Sequence, residues 1–167
     1  MVGVSSVKKE SGANIIRRPS IIVMSYLQEF GYKVIPVNPF SVGKTINNEK
    51  VVEKLEDITD PIDIVNVFRP SNETPQIANQ AAKIGTKVLW LQYGIQNDEA
   101  KKIAELNKIT YISNKCIKQE YQRLFLKVNP VFPAWGSFFN KGRYSFFGIE
   151  RHHVLSHYFT SIFISFL

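Results

Sequence analysis

The sequence contains little of what metal centres and disulfide scaffolds are built from. Its 167 residues include one cysteine and three histidines, which excludes a disulfide framework and a cysteine-rich zinc site. No stretch carries five or more like charges, so the dense basic tract that typifies nucleic-acid binding is missing as well. The N-terminus lacks the apolar run of a secretory signal, and the scarcity of cysteine suits a reducing compartment. We therefore expect a cytoplasmic protein that does not bind nucleic acid.

Long hydrophobic runs are also missing. The longest candidate, residues 154–167, has 14 residues interrupted by a histidine and hydroxyl side chains, which is too short to span a bilayer. The composition, with 44% hydrophobic and 21% charged residues, is that of a globular protein with one domain of ordinary size. The net charge of +7 provides a modest positive field that suits a phosphorylated small molecule.

Short apolar runs alternate with helical patterns along the first three quarters of the chain. The runs are residues 1–4, 33–37, 62–68, 87–91 and 110–113, and the helical patterns are residues 21–30, 74–85, 97–106 and 116–126. Such alternation predicts a doubly wound α/β domain whose five-stranded parallel sheet is covered by helices on both faces. We expect the strand order 3-2-1-4-5, with the first run between the second and the fourth. Trp90 is predicted to belong to the core.

The first run leads into a loop of small residues. Gly3 and Ser5 would allow the backbone to approach a pyrophosphate closely, and Ser5 and Ser6 add hydroxyl donors. The helix after the loop would direct unpaired N–H groups and a partial positive charge at it. This arrangement favours a phosphate-binding turn, although a strand, a glycine loop and a helix also occur together as plain structure.

Ligands of doubly wound domains bind at the carboxyl ends of the strands. The candidate site is therefore made of the residues that follow the five runs, namely 3–6, 38–41, 68–70, 92–94 and 114–116. A nicotinamide dinucleotide is disfavoured, because the first loop has one glycine and no carboxylate follows the second run at Asn38. Residues 43–45 (GKT) resemble the end of a P-loop, but the first glycine of that motif would fall at Asn38.

The motifs at the strand ends occur in a recognisable order: VGVSS at 2–6, GYKVIPVNP at 31–39, DIVNVFR at 63–69, WLQYGI at 90–95 and CIK at 116–118. They resemble the successive motifs of the stand-alone CoA-binding proteins, which are Rossmann-like and similar to the CoA-binding domain of succinyl-CoA synthetase. The resemblance covers residues 1–126. We therefore expect a CoA-binding domain at 1–126 and an aromatic-rich tail of uncertain structure at 127–167.

The resemblance implies that the ligand is coenzyme A or an acyl-CoA and assigns residues to it. The pyrophosphate would be held by Gly3, Val4, Ser5 and Ser6; the adenosine end would be bordered by Asn38, Pro39, Phe68 and Arg69; the crevice would be lined by Gln92 and Gly94, with Cys116 near the thiol-bearing arm. The sequence departs from the family pattern at residues 114–116, where Asn-Lys-Cys replaces the common Asp-Arg-Cys. This departure weakens the case for an acid-assisted role of Cys116.

No catalytic set falls on the predicted strand ends, so the sequence indicates a binding module more than an enzyme. The alternative is an enzyme or redox sensor that uses Cys116 on an acyl or disulfide form of CoA. A third interpretation is a nucleotide-binding regulator with the same fold. A metal site formed by His152, His153 and His157 is disfavoured, because Glu150 is the only further ligand nearby. The oligomeric state is left open.

Overall fold

The structure is a computed structural model that describes residues 1–4 and 18–126. Residues Met1–Lys118 form one compact unit, and a second unit begins at Gln119. Ser5, Ser6, the three histidines and the tail at 127–167 lie outside the described residues. The domain boundary at residue 126 therefore stays a prediction.

Three parallel strands form the regular part of the sheet. In chain order the strands are a two-residue pair, β1 (Thr45–Ile46) and β2 (Glu49–Lys50), followed by β3 (Ile64–Val67), β4 (Val88–Leu91) and β5 (Thr110–Ile112). The last three pair in the order β3-β4-β5, with Val67 opposite Leu91 and Trp90 opposite Ile112. β1 and β2 form a separate antiparallel hairpin.

The first apolar run extends the sheet through single bridges. Val2 is bridged in parallel to both Val37 and Val67. Its N–H donates to Asn66 O over 2.8 Å, and its carbonyl accepts from the N–H of Phe68 over 2.9 Å. The first run therefore lies in the interior of the sheet, as predicted.

The predicted five-strand order 3-2-1-4-5 is not confirmed, because Val2 lies beside the third apolar run and not beside the fourth. The reason is a further parallel pairing: Val52 is bridged to Val37, its N–H donates to Pro36 O over 3.0 Å, and its carbonyl accepts from Asn38 N–H over 3.0 Å. Val52 thus occupies the outer position beyond the second run. Its apolar stretch is two residues long within a polar segment, which is too short to give a strand signal.

The helices follow the predicted pattern with shifted ends. They are α1 (Pro19–Glu29), α2 (Thr74–Lys83), α3 (Asp98–Leu106) and α4 (Ile117–Tyr121), the last continuing as a π-helical turn, Gln122–Leu126. Asn97 caps α3, with its side-chain oxygen accepting from Ala100 N–H over 2.9 Å. Thr74 has the sequence context of a cap, before Pro75, but it is the first residue of α2, and its hydroxyl donates to Ser71 O over 2.7 Å.

The apolar faces of β3 and β4 pack against α2 and α3. The core cluster that they share includes Val37, Val65, Val67, Ile77, Ala78, Leu89, Leu91, Ala100 and Ala104. Trp90 is fully buried, as predicted, and its indole N–H donates to Lys115 O over 2.6 Å. Because β3, β4 and β5 run parallel, the loops that follow them lie at one edge of the sheet. No helix within the described residues is long and apolar enough to cross a membrane.

Candidate functional site

The site is built around the turn at Gly3, which leaves the interior position of the sheet. Gly3 has φ +86°, and its N–H donates to Val37 O over 3.0 Å. A Cβ placed on Gly3 would lie 2.9 Å from the carbonyl oxygen of Phe68 and 2.9 Å from Cδ of Arg69. Two independent features therefore require glycine at this position: the positive φ, and the close approach of the neighbouring strand end. The structure thus brings together three of the predicted site residues.

Asn38 fastens the end of the second run to the start of the glycine loop. Its side-chain amide is buried and donates to Val4 O over 2.8 Å. Its side-chain oxygen accepts from the N–H of Phe40 over 2.9 Å and so caps the 3-10 turn Pro39–Ser41. The Asn38 side chain therefore links the loop after Gly3 to the turn after the second run. Pro39 is the first residue of the turn that Asn38 caps.

Arg69 is held by a partner that the sequence analysis did not name. Its Nε and one terminal nitrogen each donate to a carboxylate oxygen of Glu73 over 2.7 Å. This hydrogen-bonded pairing raises the pKa of Arg69, so the guanidinium remains charged. A guanidinium has more N–H donors than these two bonds use, and the side chain is about one third exposed. Arg69 can therefore donate to an anion beside Gly3 while Glu73 fixes its orientation. Arg69 lies before the 3-10 turn Ser71–Glu73 and not within a helix, so the four-residue spacing gave no sequence signal for this pair.

Gln92 is directed into the protein. Its Nε2 donates to Oδ1 of Asn66 over 2.6 Å, and both residues are buried. Asn66 in turn donates to Sδ of Met1 over 3.4 Å, and the buried α-amino group of Met1 has its pKa lowered to about 5 by desolvation. The Gln92 side chain thus supports the sheet beneath the strand ends, and its backbone N–H reaches Val67 O over 3.3 Å.

The loops after β4 and β5 are joined to each other. Gly94, at φ +80°, donates its N–H to Oδ1 of Asn114 over 2.8 Å. Asn114 is itself in a left-handed conformation, at φ 54°, and its N–H donates to Ile95 O over 3.0 Å. Cys116 follows as a free, half-buried thiol. These loops form a second group of site residues at the same edge of the sheet.

An open polar pocket of about 490 Å³ lies beside this second group. It is lined by Gln96, Asn97, Asp98, Lys101, Tyr111 and Ser113. None of these is among the site residues predicted from the sequence. Ser113 directly follows β5 and Asn97 caps α3, so the pocket is also at the carboxyl ends of the strands. Within residues 1–4 and 18–126, no three His, Cys, Asp or Glu side chains are grouped as a metal site would require.

A family model described as a CoA binding domain matches residues 11–122. This chain belongs to the CoA-binding domain family. Among curated proteins it is similar to the uncharacterized protein YneT of Bacillus subtilis (strain 168), with 39% identity over 101 residues, covering 60% of this chain and 73% of that protein.

Solved structures of related sequence share the fold of this CoA-binding domain. A Thermus thermophilus structure, cell-free ID.343, has a TM-score of 0.63 at 35% identity and covers 65% of this chain and 81% of its own. A hypothetical protein from Pyrococcus horikoshii OT3 has a TM-score of 0.64 at 37% identity and covers 74% of this chain and 80% of its own. The stand-alone CoA-binding family inferred from the strand-end motifs is therefore confirmed.

Proposed function

We propose that this CoA-binding domain binds coenzyme A or an acyl-CoA through its pyrophosphate and adenosine at the carboxyl ends of the parallel strands. The observation that carries the proposal is Gly3, whose positive φ and close approach to Phe68 and Arg69 leave backbone and a guanidinium beside the start of the loop. A fixed cation beside a backbone that a ligand can approach closely suits a pyrophosphate. Membership of the CoA-binding domain family supports CoA as the ligand that carries this pyrophosphate.

The end of the second run supports CoA over a nicotinamide dinucleotide. Dinucleotide sites place a carboxylate there to bind the ribose hydroxyls, whereas this chain has Asn38, whose side-chain groups bond to Val4 and Phe40. A neutral residue avoids the repulsion that a carboxylate would exert on the 3′-phosphate of CoA. The 3′-phosphate is thus compatible with the site, and the net charge of +7 favours it.

In this proposal the domain acts by binding and has no catalytic residues of its own. Arg69, which the family resemblance placed at the adenosine end, lies beside Gly3 and in this proposal binds the pyrophosphate instead. Asn38 and Gln92 position backbone, and Cys116 lies near the thiol-bearing arm without forming a bond to it. We propose a cytoplasmic location, consistent with the scarcity of cysteine. The Cys116-dependent enzyme or redox sensor remains the alternative prediction.

A ligand panel tests the proposal. Because a ligand that binds only the folded state stabilises it by mass action, CoA at about 100 times its Kd should add about 2.7 kcal/mol. We expect the melting temperature to rise most with CoA, less with ADP and least with NAD, and native mass spectrometry of the purified chain to show bound CoA. A larger shift with NAD than with CoA would overturn the proposal.

A further inference from the structure

Phe40 is an aromatic side chain that does not contribute to the buried core. It is 81% exposed, more than any other aromatic residue in the part of the chain that the structure describes. Single exposed apolar residues are ordinary on protein surfaces, so exposure by itself assigns no role. What sets Phe40 apart is the way its backbone is held.

The backbone under Phe40 is fixed by three hydrogen bonds. The Phe40 N–H donates to the side-chain oxygen of Asn38 over 2.9 Å, Ser41 N–H donates to Asn38 O over 3.1 Å, and Asn38 N–H donates to Val52 O over 3.0 Å. Pro39, at the first position of the turn, further restricts it. An exposed ring on a rigid turn loses little entropy when a ligand covers it, which is the requirement for a stacking surface.

The turn is also tied to the phosphate loop. The Asn38 side chain that accepts from Phe40 donates to Val4 O over 2.8 Å, and Val4 directly follows Gly3. In doubly wound nucleotide-binding domains, the ribose lies at the end of the strand after the first helix, which here is Val37. Phe40 lies three residues beyond Val37, in the turn that directly follows this strand end.

We propose that Phe40 is the surface on which the adenine of CoA stacks. The inference rests on the proposed function and adds the residue that recognises the base. An aromatic side chain that stacks on a base contributes about 1–3 kcal/mol, which corresponds to roughly 5- to 150-fold in affinity. Phe40 would thus distinguish adenine-bearing ligands from the phosphopantetheine arm alone.

The test compares Phe40→Ala and Phe40→Tyr with the unmodified 167-residue chain. The control variant is Leu106→Ala, which removes an equally exposed apolar side chain, 83% exposed, at the end of α3. Affinities for CoA and for 4′-phosphopantetheine are measured by calorimetry. We expect Phe40→Ala to weaken CoA by roughly 5- to 150-fold and phosphopantetheine by less than about threefold, with Phe40→Tyr and Leu106→Ala close to the unmodified chain.

Ligand-observed NMR gives a second measurement that does not depend on phosphopantetheine affinity. Stacking shifts the adenine H2 and H8 resonances of bound CoA upfield, and this shift should persist in Phe40→Tyr and be lost in Phe40→Ala. Equal weakening of both ligands, unchanged CoA affinity in Phe40→Ala, or a retained adenine shift would each overturn the inference while leaving CoA binding intact. An unmodified chain that does not bind CoA would overturn the proposed function and the inference with it.

Discussion

Gln92 and Asn66 are joined by a hydrogen bond of 2.6 Å between two buried side-chain amides. The pair lies beneath the strand ends and links β3 to the residue after β4. A buried amide that loses its partner keeps its desolvation cost, so the two side chains should contribute to stability as a unit.

The first prediction concerns this pair. Gln92→Leu should lower the free energy of unfolding by about 1–3 kcal/mol, because it leaves Oδ1 of Asn66 unsatisfied. Adding Asn66→Val should cost less than the sum of the two single changes, with a coupling of about 0.5–3 kcal/mol in urea unfolding. The control is Gln76→Leu on the exposed face of α2, which should change stability by about 0.5 kcal/mol or less. Strict additivity would show that the pair is not coupled.

The second prediction separates close approach from backbone conformation. Gly3→Ala and Gly85→Ala both place a Cβ at positive φ, +86° and +68°, but only Gly3 has atoms within 4 Å of that Cβ. Gly85→Ala should cost about 1–2 kcal/mol of stability and leave CoA affinity unchanged. Gly3→Ala should cost more, because the Phe68 carbonyl must move, and should weaken CoA at least about tenfold. If Gly3→Ala and Gly85→Ala had equal effects on stability and on CoA affinity, the phosphate site would not be at Gly3.

The third prediction concerns Arg69. Arg69→Gln should weaken CoA about tenfold or more and reduce the salt dependence of binding, because a charge-assisted contact to phosphate is lost. Lys87→Gln is the matched control: it removes the same charge from an exposed pair in which Lys87 lies 2.7 Å from Asp63. It should leave CoA affinity within about twofold, and neither change should cost more than about 1 kcal/mol of stability. Similar losses of affinity in calorimetry would mean that only net charge matters.

The fourth prediction concerns the pH dependence of stability when Asn38 is replaced by an acid. Asn38→Asp keeps an acceptor for Phe40 N–H but directs a carboxylate at Val4 O, so the introduced carboxyl should have a raised pKa in the folded state. The folded variant then binds more protons than the unfolded one, and its stability should fall as the pH rises above the unfolded value of about 3.9. Asn48→Asp, at an exposed position, should show no such decline. Unfolding curves at pH 4 and pH 7 decide between these outcomes.

The fifth prediction concerns the thiol. Cys116→Ser should leave CoA affinity within about threefold, roughly 0.65 kcal/mol, because pyrophosphate and adenosine provide most of the binding. Loss of binding, or a mixed disulfide between Cys116 and CoA in the purified chain, would favour the redox alternative instead.

The positions of the elements were predictable from local signals. The Asn97 cap, the glycine turn that ends α1 at Gly31 and the buried Trp90 all follow from patterns within a few residues. The Val37–Val52 bridge was not predictable, because its apolar signal is two residues long, and neither was the resulting change in strand neighbours.

The candidate site was predictable as a set of loops but not as contacts. The approach of Gly3 to Phe68, and the bonds from Asn38 to Val4 and from Gln92 to Asn66, join residues far apart in sequence. Such pairings depend on how neighbouring strands are placed, which no local pattern contains. The role of Gln92 as an internal support, rather than only a lining residue, follows from that placement.

The close contact at Gly3 means that this position tolerates substitution less well than the exposed positions around it. A Cβ on Gly3 would meet the carbonyl group of Phe68, which is peptide backbone that substitutions of neighbouring side chains do not chemically alter. In the proposed binding mode, affinity is therefore adjustable at exposed side chains such as Phe40, while Gly3 accepts no larger residue. If the proposed binding mode holds, the base that this protein accepts would be changed by substitutions in the turn after Val37, with Gly3 kept as glycine.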